Sequence, residues 1–230
     1  MQGYPVLMKI EEWLLILTMN NVLPLFPTPV ITIDVEERTD ELKPEDFEYN
    51  IIDHVGSDGG TRSYQSFNLR ILSKYPRISK LLLKKFDKVK QLLHLNHQFV
   101  ITTSWFTKTE TGGYSLPHLH KNSFYSGVYY FDEYEQNKGG QIEFQTPLMN
   151  LPDFYLIPKE WNFLNSNVIE ITPVKNLLVL FPSYLYHRVL MYHGKSIRRS
   201  LSFNIVPTGS YGNGDSSYDT SWVMSGKGFG

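Results

Sequence analysis

Cysteine is absent from all 230 residues. That excludes disulfides and every thiolate metal site, and leaves His, Asp and Glu as the only strong metal ligands. It also fits a reducing, cytoplasmic setting. A charge excess of either sign is lacking as well, with 22 basic against 23 acidic side chains and a formal net charge of -1. Nothing global therefore attracts nucleic acid or an anionic membrane, and a charged partner must be recognised locally. No apolar run reaches the roughly 20 residues that span a bilayer. The run Trp13 to Met19 is short, follows Glu11-Glu12 instead of a basic region, and has no small-residue cleavage site. It reads as a packing segment, or as sequence upstream of a true start at Met19, and not as a signal core. There is no fixed-period repeat. Gly139-Gly140 has no Lys-Ser/Thr and helix after it, so it reads as a hairpin turn and not as a phosphate loop. No Ser-His-Asp arrangement is recognisable.

Aromatic residues are plentiful, at 14% with 15 Tyr and 14 Phe, and rings suit half-buried pleated surfaces. Leu25 to Val35 reads as an opening strand, with Ile31, Ile33 and Val35 on one face and Pro27 and Pro29 placing it at a sheet edge. Residues 65–95 carry apolar positions at three- and four-residue spacing, which predicts helices interrupted near Tyr75-Pro76. Their lysines read as a solvated face. From residue 98 the texture changes to short β-type runs: 99–106, 126–131, 141–144, 168–171, 177–181 and 200–206. Helices first and many short strands afterwards predict a mainly β, α+β domain in which a helical layer supports an antiparallel double-sheet jelly roll. One domain over 1–206, with its helical support mainly in 65–95 and its β core mainly in 98–206, is followed by a flexible Gly/Ser-rich tail at 207–230.

The chemistry concentrates in Pro117-His118-Leu119-His120 and the distant His187. On a strand, side chains at i and i+2 share a face, so both rings of the pair point into one cavity and His187 closes a facial triangle. Three protein ligands leave positions open for substrate or oxygen. Imidazole serves iron, zinc, copper and nickel alike. Beyond His187, alternation in Arg198-Arg199-Ser200-Leu201-Ser202-Phe203-Asn204 sends Arg198, Ser200 and Ser202 to one face. A guanidinium fork with a hydroxyl two residues away is a receptor for a carboxylate. His54, His94, His97 and His193 read as structural or exposed, as do Arg188 and Arg199. Trp105, Tyr129 and Tyr130 read as core.

A histidine pair, a distal histidine, then Arg and Ser in this order resembles the Fe(II)- and 2-oxoglutarate-dependent oxygenases. The similarity is closer to an oxygenase subfamily that keeps Trp105, Pro117-His118-Leu119-His120, Ser126-Gly127-Val128-Tyr129-Tyr130, Phe181-Pro182-Ser183, His187-Arg188-Val189 and the 198–204 run in order. Leu25 to Pro29 also resembles its N-terminal strand. The resemblance implies a double-stranded β-helix, cupin-like core. By it, His118 and His187 are iron ligands, Arg198 with Ser200 holds the distal carboxylate of 2-oxoglutarate, and Tyr130 contacts this cosubstrate. His120 stands where the superfamily has Asp or Glu. It ligates in a three-His site, or lines the pocket while water or chloride fills that position, or a different carboxylate such as Glu143 reaches the metal.

The activity implied is a dioxygenase using Fe(II), 2-oxoglutarate and O2, which hydroxylates a C–H bond of a protein side chain or small molecule and releases succinate and CO2. A cupin-like three-His hydrolase or a dioxygenase independent of 2-oxoglutarate is the rival, and has no need of Arg198. A binding domain on the same fold, without catalysis, is the third reading. The loops near 107–116, 132–138 and 146–166 carry no motif that translates into a substrate, and the oligomeric state is equally unreadable.

Overall fold

Alternation along the strands dictates the layers. The structure, a computed structural model, describes residues 27–52, 62–147, 157–162 and 164–220. The run Trp13 to Met19, His54, and parts of the 146–166 loop and of the tail lie outside the described residues. The elements are β1 (Ile31–Asp34), β2 (Tyr49–Ile51), β3 (Ser63–Ser66), α1 (Pro76–Leu92), β4 (Gln98–Thr109), β5 (Tyr125–Tyr130), β6 (Ile142–Gln145), β7 (Val168–Ile171), β8 (Leu177–Pro182), β9 (His187–Val189), β10 (Arg198–Thr208), β11 (Ser210–Tyr211) and β12 (Tyr218–Asp219). A seven-stranded sheet runs β1-β8-β5-β10-β4-β3-β2, and a three-stranded sheet runs β7-β6-β9. All of their pairings are antiparallel.

Segment 112–118 extends the small sheet. His118 and His187 exchange both backbone bonds at 2.9 Å, and Ser115 N, Gly112 N and Tyr192 N bond Val189 O, Tyr192 O and Gly113 O. The chain thus crosses between sheets repeatedly: β4, segment 112–118, β5, β6 and β7, β8, β9, β10. This alternation is the double-stranded β-helix. It also overturns two sequence readings. Part of the stretch read as an entrance loop at 107–116 belongs to β4 and to the edge of the small sheet. Gly139-Gly140 does not turn a hairpin, because β5 and β6 lie in different sheets; Gly139 instead bridges Tyr192.

All six residues of β5 are buried because both faces are covered. Tyr125 and Tyr129 join the core under α1, where Ile78, Leu82, Phe86 and Val89 form the helix's buried stripe. Each such side chain contributes about 1.5–3 kcal/mol of transfer free energy. Val128 and Tyr130 face the other way and pack with Ile142, Phe144, Val179 and Phe181 between the sheets. β10 divides likewise: Leu201, Phe203 and Ile205 pack toward α1, and Arg198, Ser200, Ser202 and Asn204 line the inter-sheet cavity. Pro76 does not interrupt a helix but opens α1 at its first position, where its missing N–H costs nothing. Residues 71–73 upstream form only a single 3-10 turn, and 63–66 a strand. β1 lies at the edge of the large sheet, as its prolines predict. β10 runs on to Thr208, and β11 pairs β12.

Candidate metal centre and anion pocket

His118 and His187 are brought together by their shared backbone bridge, with ring centroids 4.4 Å apart. His120 lies just past it, tied by its N–H to Ser183 O at 2.9 Å. Its ring centroid is 5.1 Å from that of His187 and 5.5 Å from that of His118. One potential ligand atom from each of the three comes within 4.8 Å of the others, and among the described residues no other such group of three occurs. Phe181 and Phe144 wall the His187 ring, with centroids at 4.7 and 6.0 Å.

The far side of each ring settles which nitrogen faces the cavity. His118 Nδ1 lies 2.8 Å from Leu116 O, and His187 Nδ1 3.0 Å from Leu185 O. A carbonyl oxygen can only accept, so both rings donate from Nδ1 and carry their lone pair on Nε2. His120 Nδ1 meets Asn204 Oδ1 at 2.7 Å and Ser126 Oγ at 2.9 Å, which gives the same result. Burial pushes His118 below its ordinary pKa. It pushes His120 down to about 4, against the Asn204 hydrogen bond, which works the other way. Both rings are therefore neutral near neutral pH, the form a metal takes up.

Arg198 is only 2% exposed, at the start of β10. Its guanidinium lies 5.1 Å from the centre of the Tyr130 ring, yet its Nε and Nη2, like the Tyr130 hydroxyl, are buried with no hydrogen-bond partner. Buried donors of a cation without acceptors are costly, and an anion in the pocket would supply the missing acceptors. Burial pushes the Tyr130 hydroxyl above its ordinary value, with Arg198 opposing the shift. Ser200 is buried beside it and shares a 2.5 Å hydrogen bond with Thr107.

All six residues singled out by the sequence, His118, His120, His187, Arg198, Ser200 and Tyr130, line one cavity of about 440 Å³, and no carboxylate lines it among the described residues. Glu143 does not reach the cavity. Arg188 grips it through two bonds of 2.7 and 2.9 Å, the two residues standing opposite each other on β9 and β6. Arg199 pairs with Asp132 at 2.9 Å, and His94 and His193 are exposed. Trp105 lines the cavity, its ring centroid 5.5 Å from that of His120. The motif reading quotes Ser126, Ser183 and Asn204 without giving them a role and omits Thr103; together these four form the polar row beside His120. Alternation from Arg198 already carries Asn204 to the same face. It also passes over Gly140, where an added Cβ would stand 3.1 Å from Arg198 Cδ.

A double-stranded β-helix thus brings three convergent imidazoles and a buried guanidinium with two unpartnered nitrogens into one cavity, a candidate metal site beside a candidate anion receptor. Residues 103–204 match the family described as "Putative 2OG-Fe(II) oxygenase", so the superfamily resemblance in the motifs holds over the part of the chain that carries the site. Solved structures similar to this chain include an oxidoreductase of the 2OG-Fe(II) oxygenase family from Burkholderia pseudomallei, with 12% identity, 70% of this chain and 74% of that chain covered, and a TM-score of 0.49. A prolyl-4-hydroxylase from Pseudomonas putida shows 18% identity, covers 68% of this chain and 77% of its own, and has a TM-score of 0.43. HygX from Streptomyces hygroscopicus, solved with nickel, 2-oxoglutarate and hygromycin B bound, shows 12% identity, with 79% and 84% covered and a TM-score of 0.48. No curated protein matches the sequence.

Proposed function

We propose that this protein is an Fe(II)- and 2-oxoglutarate-dependent dioxygenase that hydroxylates a C–H bond of a protein side chain or small molecule. His118, His120 and His187 would hold the metal through Nε2, and Arg198, Ser200 and Tyr130 would hold the cosubstrate. The observation that carries the reading is the orphaned guanidinium in the same cavity as the triad. A three-His hydrolase has no use for it. Bound together, iron, 2-oxoglutarate and O2 supply the oxidising power, with succinate and CO2 as the spent cosubstrate. The chain's residues do the rest. Arg198 fixes the far carboxylate by a charge-assisted fork, and the Tyr130 hydroxyl offers a further donor. Because they line the same cavity as the triad, a 2-oxo acid held by them would share that cavity with the metal. Three neutral ligands leave the metal's positive charge undiminished, which favours an anionic chelator. Val128, Ile142 and Phe181 also line the cavity and give it an apolar wall. No described helix is long and apolar enough to cross a membrane, and the absence of cysteine supports a reducing, cytoplasmic setting.

Anaerobic titration with Fe(II) and then 2-oxoglutarate tests the assignment. A weak visible charge-transfer band is expected with the wild type and not with Arg198→Ala. Iron binding without a band in the wild type makes the three-His enzyme independent of 2-oxoglutarate the better reading.

A further inference from the structure

Beneath His120 runs a polar row that crosses four strands of the large sheet. In the register of the sheet, Asn204 on β10 stands between Thr103 on β4 and Ser126 on β5, and Ser183 follows directly after β8. The row is hydrogen-bonded throughout: Asn204 Nδ2 donates to Thr103 Oγ1 at 2.9 Å, Ser126 Oγ lies 2.8 Å from Asn204 Oδ1, and Ser126 and Ser183 hydroxyls meet at 2.8 Å. A register shift falls immediately after Asn204, so that Asn204 faces Thr103 while Ile205 faces Ile101. Bulges of this kind re-aim side chains beside functional sites. Here the bulge keeps Asn204 and Thr103 side by side, and with Nδ2 committed to Thr103 the Oδ1 atom is turned toward His120. His118 and His187 need no such device, because backbone carbonyls orient them.

We propose that Asn204 is the positioning residue that makes His120 a metal ligand: by accepting the Nδ1 proton it fixes the tautomer and ring orientation that present Nε2 to the space shared with His118 and His187. The inference rests on the three-His reading and deepens it. Outer acceptors of this kind are worth about 10–100-fold in metal affinity.

Co(II) is the probe, titrated into the full chain by equilibrium dialysis while its visible d–d bands are recorded. Asn204→Leu keeps the side chain's shape and loses the acceptor; binding about 10–100-fold weaker, with altered bands, is expected. Asn204→Asp keeps the acceptor and restores the wild-type bands, a rescue that a merely structural role does not produce. A folded Asn204→Leu protein with unchanged affinity and bands overturns the proposal. Should Asn204→Leu fail to fold, the ring-15N spectrum of the wild-type apoprotein decides, with His120 signals assigned through His120→Gln. A protonated Nδ1 and a bare Nε2 that shifts on adding Zn(II) support the proposal, and an Nε2–H tautomer overturns it. Co(II) affinity insensitive to His120→Gln overturns it while leaving the 2-oxoglutarate assignment standing. A wild type that binds no Co(II) removes both.

Discussion

Arg198 is 2% exposed, and two of its guanidinium nitrogens are buried without a hydrogen-bond partner. Without an anion the fold bears the desolvation of that charge and gains only the stacking on Tyr130. Replacing it by an apolar side chain of similar length should therefore do two opposite things. Arg198→Met is expected to stabilise the cosubstrate-free protein by about 1–4 kcal/mol, as replacement of buried ion pairs by apolar residues often does. On the proposed assignment, 2-oxoglutarate stabilises the wild type and does not stabilise this variant. Thermal unfolding with and without 2-oxoglutarate, in the presence of metal, reads both. A destabilised variant that still responds to 2-oxoglutarate places the anion elsewhere.

Close backbone approach sets the geometry of the pocket at the level of elements. Phe203 on β10 lies over Gly127 on β5, where any Cβ would come within 2.3 Å of the ring. Gly140 does the same for Arg198, and its φ of +74° already suits glycine alone. Gly140→Ala costs about 1–2 kcal/mol in backbone conformation and crowds the Arg198 side chain. It is expected to weaken 2-oxoglutarate binding several-fold with Fe(II) affinity unchanged; calorimetric titration of each ligand separates the two, and an equal loss of both contradicts the assignment. Alternation alone made much of this legible. The inward set Arg198, Ser200 and Ser202 follows from a period of two, and β7 has the bounds its sequence predicts. The fourth member of the small sheet was not legible, because a single His118–His187 bridge flanked by irregular backbone has no periodicity to read. Nor was the duty of Asn204, which depends on which residues of β4 and β5 stand beside it, and on a bulge that only the paired strands reveal. Gly139-Gly140 misled for a related reason: a positive-φ pair looks the same whether it turns a hairpin or makes room for a guanidinium.

For the whole molecule, the buried imidazoles couple folding to pH. His118 and His120 are held below the ordinary value of 6.5, His120 at about 4, so across that interval the unfolded chain binds more protons than the folded one. Stability of the metal-free protein therefore rises with pH through the window from about 4 to 6.5 and is lost as pH falls through it. Metal binding at the proposed site would require the same neutral rings, so protons would compete with the metal in the same direction. A metal and cosubstrate pair present at 100 times its dissociation constant contributes about 2.7 kcal/mol, which for a domain of this size raises Tm by roughly 5–10 °C. Two curves are thus expected: one for the chelated protein, declining below about pH 6.5, and one for the protein with Fe(II) and 2-oxoglutarate, lying above it at neutral pH and converging on it in acid. His120→Gln removes one of the two depressed groups, so its chelated curve should decline less. A decline as steep as that of the wild type would place the acid-sensitive group elsewhere than at His120.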